Sequence, residues 1–235
     1  MNQPRVVSRD EWLTGRKQLL IKEKELTRLR AQLSAERRNL PWVRVDKPYV
    51  FDGPNGRPTL ADLFDGRGQL LVYHFMLTPE SDHICDGCSF LADHVDGARM
   101  HFEHADLSFA AISPLAQIEA VKERMGWRFR WVSSFGTDFN YDSGVSFTEE
   151  QIASGETGYN YGTSHYTAVD LHGTSVFAKD EAGEVFHAYS CYARGGELLL
   201  GAFNFLDLTP KGRNETSIMS WVRLHDEYDD RACRS

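Results

Sequence analysis

The chain has 235 residues and a mass of 26.7 kDa, of which 41% are hydrophobic and 26% charged. That is the size and composition of one large globular domain with decorations, rather than a disordered chain or two independent domains. A net charge of −8 and an isoelectric point near 5.6 argue against nucleic-acid binding as the main task, which draws on concentrated positive charge. No apolar run approaches the ~18–20 residues that span a bilayer, and the N-terminus meets charge before an apolar leader could form. The expectation is a cytoplasmic protein with no membrane partner.

The segment SRDEWLTGRKQLLIKEKELTRLRAQLSAERRN reads as one long helix, opened by Ser8 with Glu11 three residues on, the capping-box pattern. At about 1.5 Å per residue it would be roughly 45 Å long. Trp12, Leu19, Leu26 and Leu33 recur every seven residues, flanked by Leu13, Leu20 and Leu29, while the other faces carry Lys, Arg and Glu. One apolar stripe calls for one buried face, through either a homodimer or an arm lying on its own domain. Gly15 and the incomplete a/d seam count against a coiled coil.

Pro41 and Pro48 bracket a linker, after which the character changes. Tyr49–Phe51 reads as a short strand, Gly53–Gly56 as a turn, Thr59–Phe64 as one helical turn capped by Thr59, and Leu70–Leu77 as a strand apolar on both faces. Such a strand belongs in the middle of a covered sheet. From Cys88 onward, Phe90, Leu91, His94, Val95, Ala98 and Phe102 stand at helical spacing. Then follow a strand (LSFAAIS), a helix (PLAQIEAVKERMGW) and a strand (FRWVSSF), an order that predicts parallel strands with right-handed crossovers. Residues 137–172, rich in Gly, Asn, Tyr, Ser and Thr, read as a long surface insertion. A hairpin (TSVFAKDEAGEVFHAYS) leads to a helix that begins after Gly195-Gly196 and ends at Pro210. The tail predicts a helix with Ile218, Trp221, Val222 and Leu224 inward.

The assembled order is α/β: a thioredoxin-like fold, with a mixed central sheet flanked by helices, a long N-terminal helix and peroxiredoxin-like additions. The predicted division is an arm at 1–40, a thioredoxin-like domain at 41–215 with its insertion at 137–172, and a tail at 216–235. Long stretches also resemble the bacterial thioredoxin-like family of uncharacterised proteins known as domain of unknown function 899. They include EKELTRLRAQLSAERRNLPWVRVDKPYVFDGPNG, LADLFDGRGQLLVYHFM, CDGCSFLAD, ERMGWRFRWVSSFGTDFNYDSGVSF, VFHAYSCYARG and FNFLDLTPKGRNE, and with shorter pieces they cover nearly the whole chain. The resemblance implies a thioredoxin-like fold and carries no substrate or reaction. The family pattern often has proline after the first cysteine and threonine at position 191; here Asp86 and Cys191 stand instead, while Ser89 is kept.

Cys85-Asp-Gly-Cys88 follows the central strand, where a thioredoxin-like fold carries its redox pair. A cysteine just before a helix meets unpaired N–H groups and the positive end of the dipole, which favours thiolate. Cys85 is therefore the expected nucleophile and Cys88 the resolving thiol. Asp86 would raise the thiol pKa and a protonated His83 would lower it, so both are candidate modulators. Two features count against ordinary thioredoxin or peroxiredoxin chemistry. The segment before the hairpin, DLHGTSVF, lacks the cis-proline that shapes a thioredoxin groove, and Pro114 follows a different strand; the peroxiredoxin threonine position is Asp82. Topology nominates Ser113, Ser134, Thr174 and residues 189–194 as neighbours, with Ser113, Thr174 and Arg194 as substrate-binding candidates. Cys191 is either an extra redox partner or a spare thiol, and Cys233 is expected to be exposed.

The leading expectation is a thiol–disulfide oxidoreductase with an unknown disulfide substrate and thiol reductant, no cofactor and no assigned metal site. One alternative is a non-catalytic thioredoxin-fold binding protein. The other is a metal site drawing on His83, Cys85, Cys88, Asp93, His94, His101 and His104, although a lone C-x-x-C is only half a zinc site.

Overall fold

The computed structural model describes residues 5–78, 83–113 and 118–228; Asp82, Pro114 and Cys233 lie outside the described residues. The chain divides into two compact units, residues 1–41 and 42–235. In the first, α1 (Arg9–Arg38) opens on the predicted box: Glu11 N–H donates to Ser8 Oγ at 3.2 Å, and Ser8 N–H donates to Glu11 Oε2 at 3.1 Å. None of its side chains is buried, and the stripe from Trp12 to Leu33 is between 37% and 52% exposed. The buried face expected of that stripe is absent from the described residues.

The second unit is built on a six-stranded sheet in the order β1-β6-β5-β2-β3-β4. The strands are β1 (Val43–Arg44), β2 (Gln69–His74), β3 (Leu107–Ser113), β4 (Arg130–Ser133), β5 (Gly173–Lys179) and β6 (Val185–Tyr192). β2 is central as its double-sided apolarity predicts. Leu70 and Val72 pack with Ile112, Val132, Phe177 and Phe139 on one face, and Tyr73 packs with Ala111, Trp131, Phe129 and Cys88 on the other. β2 runs parallel to β3 with Gln69 opposite Leu107, and antiparallel to β5 with His74 opposite Gly173. A parallel crossover on one side of the central strand and the antiparallel β5–β6 hairpin on the other make the core a thioredoxin-like fold, with β4 and β1 added at the two edges. Among the described residues no helix is long and apolar enough to cross a membrane.

Several local expectations change. Residues 49–51 form only a single bridge, Val50 to Thr59; Leu60 stands at the cap of the 3₁₀ turn Ala61–Phe64, while the Thr59 hydroxyl accepts from Asp62 N–H at 3.2 Å. The helix after the cysteines is two, α2 (Asp86–Ala92) and α3 (Val95–His104). The His94 ring takes the Phe90 carbonyl at 2.6 Å, so the His94 N–H turns to Leu91 O at 3.0 Å and the helical ladder is interrupted. The helix after β3 is α4 (Ile118–Met125). Residues 137–172 are not a loose surface insertion. They form α5 (Phe139–Asp142), α6 (Glu149–Ser154) and the single turn α7 (Tyr159–Gly162), and Val145, Phe147 and Tyr159 close a small core of their own with Tyr192.

After the hairpin a 3₁₀ stretch, Ala193–Leu199, precedes α8 (Gly201–Leu206), so the helix starts later and stops earlier than predicted. The break places Leu200 and Phe203 in the core and directs Ala202 N–H onto His94 Nε2 at 2.9 Å. Residues 216–228 carry turns and one 3₁₀ turn in place of the expected helix, with Met219 at φ +58°. Val222 and Leu224 are buried, whereas Ile218 is exposed.

Candidate active site around the cysteine pair

The cysteines sit where the C-terminal end of β2 meets α2. Cys85 is the N-cap of α2, and the Cys88 N–H donates to its Sγ at 3.3 Å. The sulfur thus takes the place of the oxygen that usually caps a helix, among donors left over by the helix start. The Cys85 thiol is held below its usual range, first by a hydrogen bond from the Cys88 thiol, then by the Cys88 and Gly87 N–H groups; burial and the Asp86 charge oppose them. Cys88 is buried, and burial followed by its neighbour Cys85 pushes its thiol well up. The two thiols are therefore shifted in opposite directions, Cys85 toward the thiolate and Cys88 toward the thiol.

Beneath Cys88 are two donors that the strand reading of β2 passes over. Met76 N–H lies 3.5 Å from Cys88 Sγ, and the Tyr73 hydroxyl is hydrogen-bonded to the same sulfur. Tyr73 alternates with the aliphatic Leu70 and Val72 on the opposite face, and its polar tip in an otherwise apolar strand is the signal that could have found it.

A cavity of about 380 Å³ opens on the pair. Met76, Leu91, Leu200, Phe203, Ile218 and Met219 supply apolar lining, while Tyr73, Tyr166 and His172 bring polar tips. His172 immediately precedes β5, in the segment that lacks proline, and burial holds its imidazole toward the neutral form. Among the described residues no peptide bond is cis. A Cβ at Gly87 would stand 3.1 Å from Met219 Sδ, so the glycine lets the C-terminal segment close over the C-x-x-C turn.

Of the nominated binding residues, only Arg194 lines this cavity. It is already engaged, its Nε and Nη2 both on Glu197 Oε2 at 2.9 and 2.8 Å, which leaves less of it for an anionic substrate group. Ser113 is buried, with its Oγ toward Leu77 O at 3.4 Å, and Thr174 is buried within the sheet between Tyr73 and Cys191. Neither lines the cavity, because the strand ends that topology brings together are covered by their own neighbours. Ser134 is likewise buried. His83 is exposed and Asp86 half-buried at the start of α2. Cys191 lies half-buried on β6 and is not part of the cavity lining.

The residues of the metal alternative are dispersed. Both His94 nitrogens are occupied, by Phe90 O and Ala202 N–H, and Asp93 Oδ1 accepts from Trp127 Nε1 at 2.8 Å and pairs with His225 Nδ1 at 2.7 Å. His101 and His104 are exposed on α3. Among the described residues no three His, Cys, Asp or Glu side chains converge in a way that could hold a metal ion.

Among curated proteins, none matches the chain. Solved structures similar to it include peroxiredoxin Q of Xanthomonas campestris, at 13% identity and a TM-score of 0.41, with 68% of this chain and 96% of that chain covered. A thiol:disulfide interchange protein from Bacteroides sp. is similar at 13% identity and a TM-score of 0.38, over 74% of this chain and 95% of that one. A putative thiol:disulfide interchange protein DsbE from Chlorobium tepidum matches at 13% identity and 0.36, over 70% and 98%. The model of one protein family matches residues 1–228, nearly the full length, and the chain belongs to that family: bacterial protein of unknown function, DUF899.

Proposed function

We propose that the protein is a thiol–disulfide oxidoreductase in which Cys85 and Cys88 form the reacting couple. The observation that carries this reading is the helix-capping contact of Cys85, with the Cys88 N–H on its sulfur at 3.3 Å and a buried second thiol directly behind it. In the reaction, the Cys85 thiolate attacks one sulfur of a substrate disulfide and the other leaves as a thiolate that takes up a proton. Cys88 then loses its proton and attacks the Cys85 sulfur of the mixed disulfide. The second substrate sulfur is expelled, the Cys85–Cys88 disulfide forms, and the substrate is reduced by two electrons. Met76 N–H and the Tyr73 hydroxyl face the charge that develops on Cys88 in this step. A dithiol returns the couple to its reduced form. The proposed setting is the cytoplasm, where such dithiols are abundant and close cysteine pairs are more often reactive than structural.

The test is a titration of the full chain in dithiol redox buffers, with the remaining free thiols alkylated and counted by mass. The expected result is a reversible two-electron couple that disappears in Cys85→Ser and in Cys88→Ser, with Cys191→Ser unchanged. A chain whose thiols at 85 and 88 never pair across the accessible range of potentials is not an oxidoreductase of this kind.

A further inference from the structure

We propose that a second cavity, at the opposite end of the strands from the cysteines, binds a small molecule carrying several anionic oxygens, of the phosphate-ester or polyphosphate class. The cavity exists because β4 is shorter than β3. β4 pairs only with Ala110–Ser113, so Leu107, Ser108 and Phe109 have no strand partner on that side among the described residues. The Gly53–Pro58 turn, α3 and the approach to β4 line the gap, an open cleft of about 570 Å³. That lies within the ~300–1,000 Å³ typical of small-molecule sites.

The charge in this gap runs against the rest of the molecule. Arg57, Arg67, Arg99, Lys122, Arg128 and Arg130 line it against three carboxylates, Asp62, Asp65 and Glu103, in a chain whose net charge is −8. Internal pairing uses only part of the positive charge. Arg67 pairs with Asp65 at 2.8 Å, and Arg57 and Arg128 reach carboxylates outside the cavity lining, Asp52 at 3.2 Å and Asp96 at 3.5 Å. Arg130 donates to a backbone carbonyl, Asp62 O, at 2.6 Å, and Lys122 has no ion pair among the described residues.

Glu103 is shared between two guanidinium groups, Arg67 at 3.5 Å and Arg99 at 3.9 Å, so one carboxylate serves two cations. Guanidinium and ammonium groups gathered around one gap are the chemistry that recognises phosphoryl oxygens. Phe102 and Phe109 give the same gap an apolar side against which the body of an ester could lie.

The test is calorimetric titration of the full chain with inorganic triphosphate, against sodium sulfate at matched ionic strength. The expected result is saturable binding at one site per chain, weakened roughly tenfold in Lys122→Gln and in Arg99→Gln and unchanged in Arg16→Gln on α1. Lys122 is not fully buried, so its variant tests the site even where Arg99→Gln unfolds. A nucleoside triphosphate titrated alongside separates the two sources: tighter binding than triphosphate shows an ester using the apolar side, and equal binding shows a polyphosphate site. No saturable binding, equal response to sulfate, full affinity in Lys122→Gln, or binding of single-stranded RNA without binding of triphosphate would each overturn the proposal. Cys85→Ser binds normally in every case, so this result is independent of the thiol chemistry.

Discussion

Tyr73 and His74 are neighbours in β2 that point to opposite faces of the sheet, and each begins a buried polar array. On the Tyr73 face the array ends on sulfur: Tyr73 to Cys88, Cys88 to Cys85, and Cys85 to a cavity. On the His74 face it runs through oxygen and nitrogen. His74 Nε2 lies 2.9 Å from Ser175 Oγ, Ser175 Oγ lies 2.9 Å from Ser190 Oγ, and Ser190 Oγ lies 2.7 Å from His187 Nε2.

Protons along the second chain can be assigned from its ends. His187 Nε2 also faces Tyr189 O at 3.1 Å and so carries a hydrogen. Ser190 then donates to Ser175 and Ser175 to His74, leaving the His74 proton on Nδ1. Both hydroxyls of this chain are thus spent on internal groups. The comparison teaches that burial of polar groups does not by itself mark a reactive site: the thiol face leaves the Cys85 sulfur at an opening, and the His74–Ser175–Ser190–His187 chain bonds to itself.

The largest separation of the two faces is in exchange activity. Cys85→Ser should reduce disulfide exchange to the uncatalysed background in a dithiol turnover assay, since serine is neither a comparable nucleophile nor a leaving group at neutral pH. Ser190→Ala should leave the rate within about twofold, because its hydroxyl faces away from the thiols. A large loss of exchange in Ser190→Ala would join the two faces into one site.

Acid stability should show the reverse dependence. Burial holds the His74 pKa down at about 4, against an ordinary 6.5. As pH falls, the unfolded chain binds this proton before the folded one does. The contribution is therefore complete above pH 6.5 and is lost between 6.5 and 4, by up to about 3 kcal/mol. Denaturant midpoints measured across that window should fall, and His74→Phe should flatten this part of the slope.

Tyr73→Phe keeps the ring and deletes the donor to Cys88. A hydrogen bond to a charged group is worth ~1.5–3 kcal/mol, so resolution should slow by roughly tenfold or more. The readout is accumulation of the Cys85 mixed disulfide, which a purely structural role would not produce. Ser175→Ala should lower stability by about 1–3 kcal/mol, by leaving His74 Nε2 and Ser190 without their partner, with exchange unchanged. The smallest effect belongs to Arg194→Gln. Its pair with Glu197 has an arginine side chain 72% exposed, and such pairs contribute ~0–1 kcal/mol, so both stability and exchange should stay near the parent values.

Much of this arrangement is legible in the residues. Double-sided apolarity marks β2 as central, and the position of the C-x-x-C after it predicts Cys85 as a helix cap. The β5–β6 hairpin and β3 follow from their turn and strand patterns, because hydrophobic period and turn chemistry are local properties. Less legible are features where one side chain diverts the backbone. Capture of the Phe90 carbonyl by the His94 ring splits a helix that periodicity reads as continuous. The polar composition of 137–172 conceals the few aromatics, Phe147 and Tyr159, that pack it onto Tyr192.

Composition, periodicity and motif placement thus determined the class of fold, the central strand and the cysteine pair, since each depends on residues close together in the chain. The tertiary structure alone decided that Tyr73 and Met76 face Cys88, that His172 lines the cavity, and that Ser113 and Thr174 do not. The gap beside β3 likewise exists only once two strands of unequal length lie side by side. These are meetings between residues distant in sequence, set by sheet register and by which neighbour fills each space, and no local pattern encodes them.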